Sequence, residues 1–182
     1  PVILIATGSR PTWPKDVPRD PRLYDSDSIL HMDHIPKALA VIGAGVIGCE
    51  YATMFQALGV QVTLVSASKL LLPFLDGEIG EHLRLQMGFL GLDVRRNTTL
   101  IETVLDARPN AVLLRLSDGD VWVDRVLFAT GRNGATSDLA VNLAGLTTNE
   151  RGLIAVNENY QTAVSHIYAA GDVIGFPALA ST

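Results

Sequence analysis

Three glycines with the spacing of a phosphate-binding turn are the strongest chemical signal in the sequence. Gly43, Gly45 and Gly48 occur in the order G-x-G-x-x-G within the stretch VIGAGVIGCE. The first glycine of such a turn permits a sharp bend, the second lets a pyrophosphate approach the backbone, and the third lets the next helix pack on the strand. Free amides at the start of that helix attract anions. The predicted dinucleotide-binding backbone is Gly43, Ala44, Gly45, Val46, Ile47 and Gly48.

The residues around this turn have the pattern of a strand, a helix and a second strand. The stretch ALAVI precedes the turn and VIGCEYATMFQALG follows it, after which QVTLVS ends at Ser66, about twenty residues beyond the first glycine. Two parallel strands joined by a helix form a right-handed βαβ unit. In this context the glycine turn predicts dinucleotide binding rather than a chance loop.

The end of the second strand carries the residue that selects between NAD and NADP. An Asp or Glu there would bond the ribose hydroxyls of NAD and repel the 2′-phosphate of NADP, but the sequence has Ser66. Ser68 and Lys69 add a donor and a positive charge without the fork of an arginine. Two interpretations stay open: these three residues admit both NAD and NADP, or they only cap a loop.

Two further turns repeat the scheme of a strand that runs into Thr-Gly. Thr7 and Gly8 lie in IATGSRP, and Gly131 and Arg132 lie in FATGRNG. The repetition suggests two crossovers of the chain between domains. Arg132 is then either a structural clasp between the crossing segments or a residue near the nicotinamide.

A third strand runs into a turn with an acidic residue. Gly171 and Asp172 lie in IYAAGDVIG, where small residues allow close approach of the backbone. A carboxylate in this position can accept hydrogen bonds from the hydroxyls of a sugar or polyol. An Asp in such a place more often caps a helix, so both roles are open.

The composition excludes several classes of partner. The net charge is −5 and the basic residues are scattered, so we expect no nucleic-acid binding. No apolar run approaches the roughly 20 residues that span a bilayer, so we expect no membrane segment. The four histidines show no ligand spacing, and we expect no metal site. The single cysteine, Cys49, is predicted to be buried and unreactive. One unpaired cysteine favours a protein in a reducing compartment, and we expect a cytoplasmic location.

These patterns predict an α/β protein with a Rossmann-like fold. Its parallel sheet would carry helices on one side and a β-meander on the other. The meander is predicted from the segments TLIETVLDA, AVLLRLSDGDVWV and DRVLFATG, residues 99–131, the last of which feeds back into the main sheet. The apolar run VILI predicts a buried strand, and the proline-rich residues 9–36 predict a linker. A domain over residues 36–132 would be inserted between flanks 1–35 and 133–182 of a host domain. The abrupt apolar start suggests a segment of a longer protein.

The motifs IATGSRP, YDSDSIL, VIGAGVIGCEYA, FATGR and YAAGDVIGFPALAS resemble, in this order, those of the pyridine nucleotide-disulfide oxidoreductase flavoproteins. The resemblance covers essentially the whole chain. It implies an NAD(P)-binding domain at 36–132, FAD-domain segments on both sides, and a dimerisation domain elsewhere in a homo-oligomeric parent.

The resemblance also assigns roles to single residues. The glycine turn would hold the pyrophosphate of NAD or NADP, and Asp172 would bond the ribityl chain of FAD. Glu50 matches the family glutamate that lies near the nicotinamide and pairs with a lysine close to the flavin; that lysine is not in this chain.

The motifs are most similar to those of family members that pass hydride from one nicotinamide nucleotide to another. The implied cycle transfers hydride from NADPH to FAD and then to NAD, with one pocket used in turn by both nucleotides. A dihydrolipoamide dehydrogenase is one alternative, although its strand end would be expected to carry an acid instead of Ser66. A nucleotide-binding module without catalysis is another, and this chain alone is expected to be inactive.

Overall fold

The computed structural model describes residues 1–105 and 108–175. The chain forms two compact units, one of Thr12–Gly131 and one of Pro1–Pro11 with Arg132–Thr182. Numbered along the chain, the strands are β1 (Ile3–Ile5), β2 (Ser9–Pro11), β3 (Leu23–Asp25), β4 (Ala38–Ile42), β5 (Gln61–Ser66), β6 (Asp93–Arg96), β7 (Leu100–Val104), β8 (Val112–Leu116), β9 (Val121–Val123), β10 (Arg125–Phe128), β11 (Arg132–Gly134) and β12 (Ile167–Ala169). The α-helices are α1 (Val46–Ala57) and α2 (Gly77–Phe89).

The Thr12–Gly131 unit is built on a parallel sheet with the strand order β3-β10-β4-β5-β6. β4 and β5 pair in parallel from Ala38 beside Gln61 to Ile42 beside Val65, with α1 as the connection between them. This arrangement is the predicted βαβ unit. All five strands therefore end at the same edge of the sheet, where ligands of open α/β sheets bind.

One face of this sheet is covered by the two helices. Leu39 and Val41 of β4 and Leu64 of β5 are buried in one cluster with Ala52 of α1 and Met87 of α2. Each of these side chains is at most 2% exposed, so the helices seal this face from water. Removal of apolar surface on this scale is the main stabilising term for the unit.

The other face is covered by an antiparallel meander of β7, β8 and β9. Ala40 and Ile42 of β4 are buried here with Val112, Leu114 and Val123. The stretch ALAVI is apolar throughout because its alternate side chains enter cores on both faces of the sheet. The predicted fold class, with helices on one side and a meander on the other, is confirmed.

The linker predicted over residues 9–36 is wrong, because most of this segment is folded. β3 pairs in parallel with β10, and a 3₁₀ helix spans Ser28–His31. Oδ1 of Asp25 accepts the amides of Ser28 at 2.8 Å and Asp27 at 3.2 Å. Burial alone would raise the pKa of Asp25, but the hydrogen bonds from Ser28 hold it below its usual range. The polar residues of this segment predicted a loop, but in the structure their side chains form hydrogen bonds that stabilise an ordered turn.

Two large side chains anchor this segment to the sheet and the meander. Trp13 packs edge-on against Phe128 of β10, with ring centroids 5.3 Å apart. Nη1 of Arg22 donates to the carbonyl oxygens of Leu105 at 2.8 Å and Ala111 at 2.9 Å. A charged donor shared by two carbonyls is a strong tie between parts of the chain that are far apart in sequence.

Replacement of Arg22 by methionine should lower the free energy of unfolding by about 2 kcal/mol, because two carbonyl oxygens lose a charged donor. Arg22 also lowers the pKa of Asp20 through a side-chain hydrogen bond. The difference from the unchanged protein should therefore shrink as the pH falls from the usual range of an Asp carboxyl, about 4, through the lowered pKa of Asp20. Urea unfolding followed by circular dichroism measures both effects.

The control is Arg115→Met, which removes an exposed ion pair with Glu102. An equal loss of stability in this variant would contradict the anchoring role of Arg22.

The unit of Pro1–Pro11 with Arg132–Thr182 contains two short sheets. β1 pairs in parallel with β12, and β2 pairs antiparallel with β11. The prediction of a buried first strand is wrong, since Ile3 is 49% and Leu4 63% exposed. Among the described residues β1 has β12 as its only strand partner, and of its side chains Ile5 packs on the small core around Ile154 and Val173.

Candidate functional site

The glycine turn after β4 is fixed by backbone contacts to both neighbouring strands. Gly43 has a φ of +108°, a left-handed conformation that favours glycine, and a Cβ on it would contact the carbonyl oxygen of Ala129. The Gly43 amide donates to the carbonyl of Val65 at 2.9 Å, and the Ala129 amide donates to that of Ile42 at 2.8 Å. The turn is thereby held between β5 and the end of β10.

Gly45 and Gly48 have different surroundings, which separate a binding role from a packing role. A Cβ on Gly48 would contact the carbonyl oxygen of Gly43, so only glycine lets α1 lie this close to the turn. A Cβ on Gly45 would have no heavy atom within 4 Å. Gly45 is the N-cap of α1, and no side chain caps it. Gly45 and Val46 are exposed, so the first amides of the helix, which lack helical acceptors, lie at the surface. Amides in such a position can receive an anion.

Cys49 and Glu50, at the next positions of α1, lie in opposite environments. Cys49 is 5% exposed, and burial together with the nearby charge of Glu50 raises its pKa to about 11. The side chain is thus a packing thiol, as predicted. Glu50 is exposed, and it lines a cavity of about 580 Å³ between α1 and α2 whose wall also includes Val46 and Met54.

Ser66 ends β5, and its side chain shapes the loop that follows. Ser66 is 4% exposed, and its Oγ accepts the amide of Ser68 at 3.2 Å. Oγ of Ser68 in turn accepts the amide of Leu70 at 3.2 Å, so both hydroxyls contribute to the loop. Lys69 is exposed. The capping role left open by the sequence is therefore observed, and no carboxylate stands at this strand end.

Arg96 was not among the site residues predicted from the sequence, although it lies next to one of them. It ends β6 directly beside Ser66 in the parallel register. Its Nη1 donates to Oε2 of Glu81 at 2.7 Å and to the carbonyl oxygen of Lys69 at 3.3 Å. The sequence signal was the pair of arginines at the end of a short strand, but nothing local assigned either one to the loop after Ser66.

A second group of predicted residues lies in the other unit. Oγ of Ser9 donates to Oδ2 of Asp172 at 2.8 Å, while Nε of Arg132 donates to the same Ser9 Oγ at 2.7 Å. Nη2 of Arg132 also donates to the Ser9 carbonyl oxygen at 2.8 Å. Arg132 is thus a clasp between two chain segments, one of the two roles left open by the sequence. Asp172 lies in a 3₁₀ helix over Gly171–Ile174.

The remaining predicted residues lie in exposed or left-handed turns. Gly8, Gly131 and Gly171 have φ values of +71°, +121° and +76°, and a Cβ on any of them would meet no heavy atom within 4 Å. Thr7 is exposed. Gly131 belongs to the Thr12–Gly131 unit, whereas Thr7, Gly8 and Gly171 belong to the other. The open space beside these glycines would allow a ligand to approach the backbone closely.

Residues 1–105 and 108–175 contain no group of three His, Cys, Asp or Glu side chains placed to hold a metal ion. In the same part of the chain, no helix has the length and apolar character needed to cross a membrane.

A model of the family described as pyridine nucleotide-disulphide oxidoreductase matches residues 2–182. The chain belongs to this family. It is 45% identical over 180 residues to the soluble pyridine nucleotide transhydrogenase of Vibrio parahaemolyticus. It is 48% identical over 179 residues to the protein of the same name in Marinobacter nauticus. Each match includes 98% of this chain and 38% of the relative, so the chain spans about two fifths of these relatives. The resemblance seen in the motifs is confirmed.

Two solved structures with a similar fold support the same assignment. The HOCl-induced flavoprotein disulfide reductase RclA of Escherichia coli superposes with a TM-score of 0.88 at 32% identity, over 98% of this chain and 41% of that one. LpdA of Mycobacterium tuberculosis gives a TM-score of 0.88 at 28% identity, over 99% and 39% of the two chains. The family and its oxidoreductase fold are therefore supported by sequence and by structure.

Alanine at Gly48 should lower stability more than alanine at Gly45. Gly48→Ala should lower the free energy of unfolding by about 1 to 3 kcal/mol, because the new methyl group overlaps the carbonyl oxygen of Gly43. Gly45→Ala should lower it by less than about 1 kcal/mol, because its φ of −77° suits alanine and the space is open, although alanine is a poorer N-cap than glycine. Thermal and urea unfolding measure both variants. Similar losses in the two would contradict the division of roles.

Cys49 should react slowly with iodoacetamide at pH 8 in the native protein and rapidly after unfolding. Burial keeps the thiol neutral, because its pKa is raised to about 11. The same shift favours the folded state below about pH 8.5 and is lost as the pH rises towards 11, so stability should fall in that interval. The rate of alkylation, read by mass spectrometry, measures the first effect; rapid native labelling at pH 8 would contradict it.

Proposed function

We propose that the Thr12–Gly131 unit binds a nicotinamide dinucleotide with its pyrophosphate on the turn of Gly43, Gly45 and Gly48. The observation that carries this proposal is the open, uncapped start of α1 above Gly45. Backbone amides at that position are arranged to receive a pyrophosphate. Ala44, Val46 and Ile47 contribute the rest of the turn. Similar glycine turns at helix starts bind dinucleotides in many α/β proteins.

The pocket is proposed to accept both NAD and NADP. Ser66 stands where an acid would repel the 2′-phosphate of NADP, and its buried hydroxyl presents no negative charge. The exposed Lys69 and the neighbouring Ser68 lie on the loop that borders this strand end. The site therefore lacks the usual means of excluding NADP.

The parent protein is proposed to transfer hydride between NADPH and NAD through FAD. The names of the curated relatives, soluble pyridine nucleotide transhydrogenase, support this reaction, and a pocket that accepts both nucleotides suits it. When bound, FAD would supply the group that takes up and returns the hydride. Glu50, exposed on the wall of the cavity between the helices, is proposed to support the nicotinamide end.

The other unit is proposed to supply part of the FAD site. Asp172, already oriented by Ser9, would accept hydrogen bonds from the ribityl hydroxyls, and Gly171 would let the cofactor approach the backbone. Thr7, Gly8, Gly131 and Arg132 are proposed to line the two crossovers of the chain. The exposed apolar side chains of β1 support cover by other parts of a longer parent. This parent is proposed to be homo-oligomeric and cytoplasmic.

A disulfide reductase is the second candidate, because RclA of Escherichia coli is a flavoprotein disulfide reductase at 32% identity. This reaction would need redox cysteines outside the present chain, since its single cysteine, Cys49, is buried in a core cluster. A cysteine pair in the parent sequence, with activity on a disulfide substrate, would favour this candidate.

Calorimetric titration of this chain with NAD⁺ and NADP⁺ at matched ionic strength tests the proposal. We expect dissociation constants within about tenfold of one another, or about 1.4 kcal/mol, because β5 ends in Ser66 and not in an acidic residue that would repel the 2′-phosphate. Gly45→Val, which fills the space above the turn, should abolish binding of both while the melting temperature changes little. Absence of binding would refute the dinucleotide site, and a strong preference for NAD⁺ would refute the shared pocket.

A further inference from the structure

We infer that Arg96 binds the 2′-phosphate of NADP and so makes the pocket permissive for both nucleotides. This inference rests on the proposed nucleotide site and deepens it, because the arginine comes from β6 rather than from the loop after β5. The sequence places the residue thirty positions beyond Ser66, outside the segment where a selector is sought.

The register of the sheet brings Arg96 to the ribose end of the site. Ser66 and Arg96 are direct partners in the parallel pairing of β5 and β6. Neighbouring strands lie about 4.8 Å apart, within reach of an arginine side chain. Both residues end their strands at the edge that carries the glycine turn, and a selector at the end of β5 adjoins the adenine ribose.

Strand alternation separates Arg96 from its neighbour Arg95. Val94 packs against the core cluster on the helix face, so Arg96, two positions later, points to that same face and meets Glu81 of α2. Arg95 points to the meander face, where it pairs with Asp93 and lies 3.5 Å from Asp118. Only one of these two adjacent arginines faces the loop after Ser66.

The charges around Arg96 favour an anion. Glu81 is shared by two guanidinium groups, since it also pairs with Arg84 at 2.6 Å. The exposed Lys69 belongs to the loop whose carbonyl oxygen contacts Arg96. Two guanidinium groups therefore share a single carboxylate, and Lys69 adds a positive charge to the adjoining loop, so positive charge exceeds negative charge in this group of residues.

The ion pair with Glu81 explains how one pocket accepts two nucleotides. With NAD, Arg96 stays paired with Glu81, because the neutral 2′-hydroxyl does not compete for the guanidinium. With NADP, the guanidinium turns from the carboxylate to the phosphate, which it can bind through two parallel hydrogen bonds. Glu81 keeps Arg84 as a partner, and a partly exposed ion pair is weak, so the exchange costs little.

Titration of Arg96→Gln with NADP⁺ and NAD⁺ tests the inference. We expect the NADP⁺ affinity to fall by about tenfold or more, as for loss of one charged phosphate contact. The NAD⁺ affinity should stay within about twofold. Arg95→Gln is the matched control, because it makes the same charge change one residue away on the opposite face, and it should leave the ratio of the two affinities near that of the unchanged chain.

Two further measurements separate a phosphate contact from a structural role. Titration with 2′,5′-ADP and 5′-AMP should show the loss in Arg96→Gln for the first probe alone, and Arg96→Lys should restore part of it. Glu81→Gln should raise the NADP⁺ affinity severalfold, because the arginine is released.

The outcomes distinguish failure of this inference from failure of the nucleotide site. Normal binding of both nucleotides by Arg96→Gln, or an equal change in Arg95→Gln, would overturn the role of Arg96 while the site stands. Equal weakening of NAD⁺ and NADP⁺ would overturn it as well, since that result indicates a structural role. Absence of binding by the unchanged chain would instead refute the proposed function.

Discussion

The close approach of α1 to the end of β4 is the contact on which the candidate site depends. At Gly48 the helix lies so near the turn that any Cβ would contact the carbonyl oxygen of Gly43. This contact fixes where the helix begins, and no side chain caps the helix at Gly45. Because backbone rather than side chains forms the proposed phosphate site, its geometry is set by packing alone.

The parallel sheet extends this placement to neighbouring residues. Its two faces are sealed by the helices and by the meander, so the strands cannot slip without moving apolar side chains into water. The register then places Ser66 beside Arg96 and sends Arg95 to the opposite face. A single pairing register thus decides which charged group reaches the proposed ribose end.

The other unit is organised by polar contacts more than by its core. Ser9 is bonded to both Asp172 and Arg132, which joins segments more than a hundred residues apart. Its apolar cluster around Ile154 and Val173 is small, and much of β1 stays exposed. Directional hydrogen bonds therefore specify how these segments meet, while the residues proposed to hold a cofactor lie on turns that the clasp keeps in place.

The sequence by itself determined the glycine turn, the βαβ unit around it, and the two-faced sheet. These features depend on spacing within about twenty residues, where glycine positions and apolar periodicity report directly on local conformation. The family also followed from ordered motifs. Tertiary structure alone decided that residues 9–36 are folded, that β1 is exposed, and that Arg96 lies beside Ser66. Strand register and coverage join residues far apart in the chain, and no local pattern encodes such pairings.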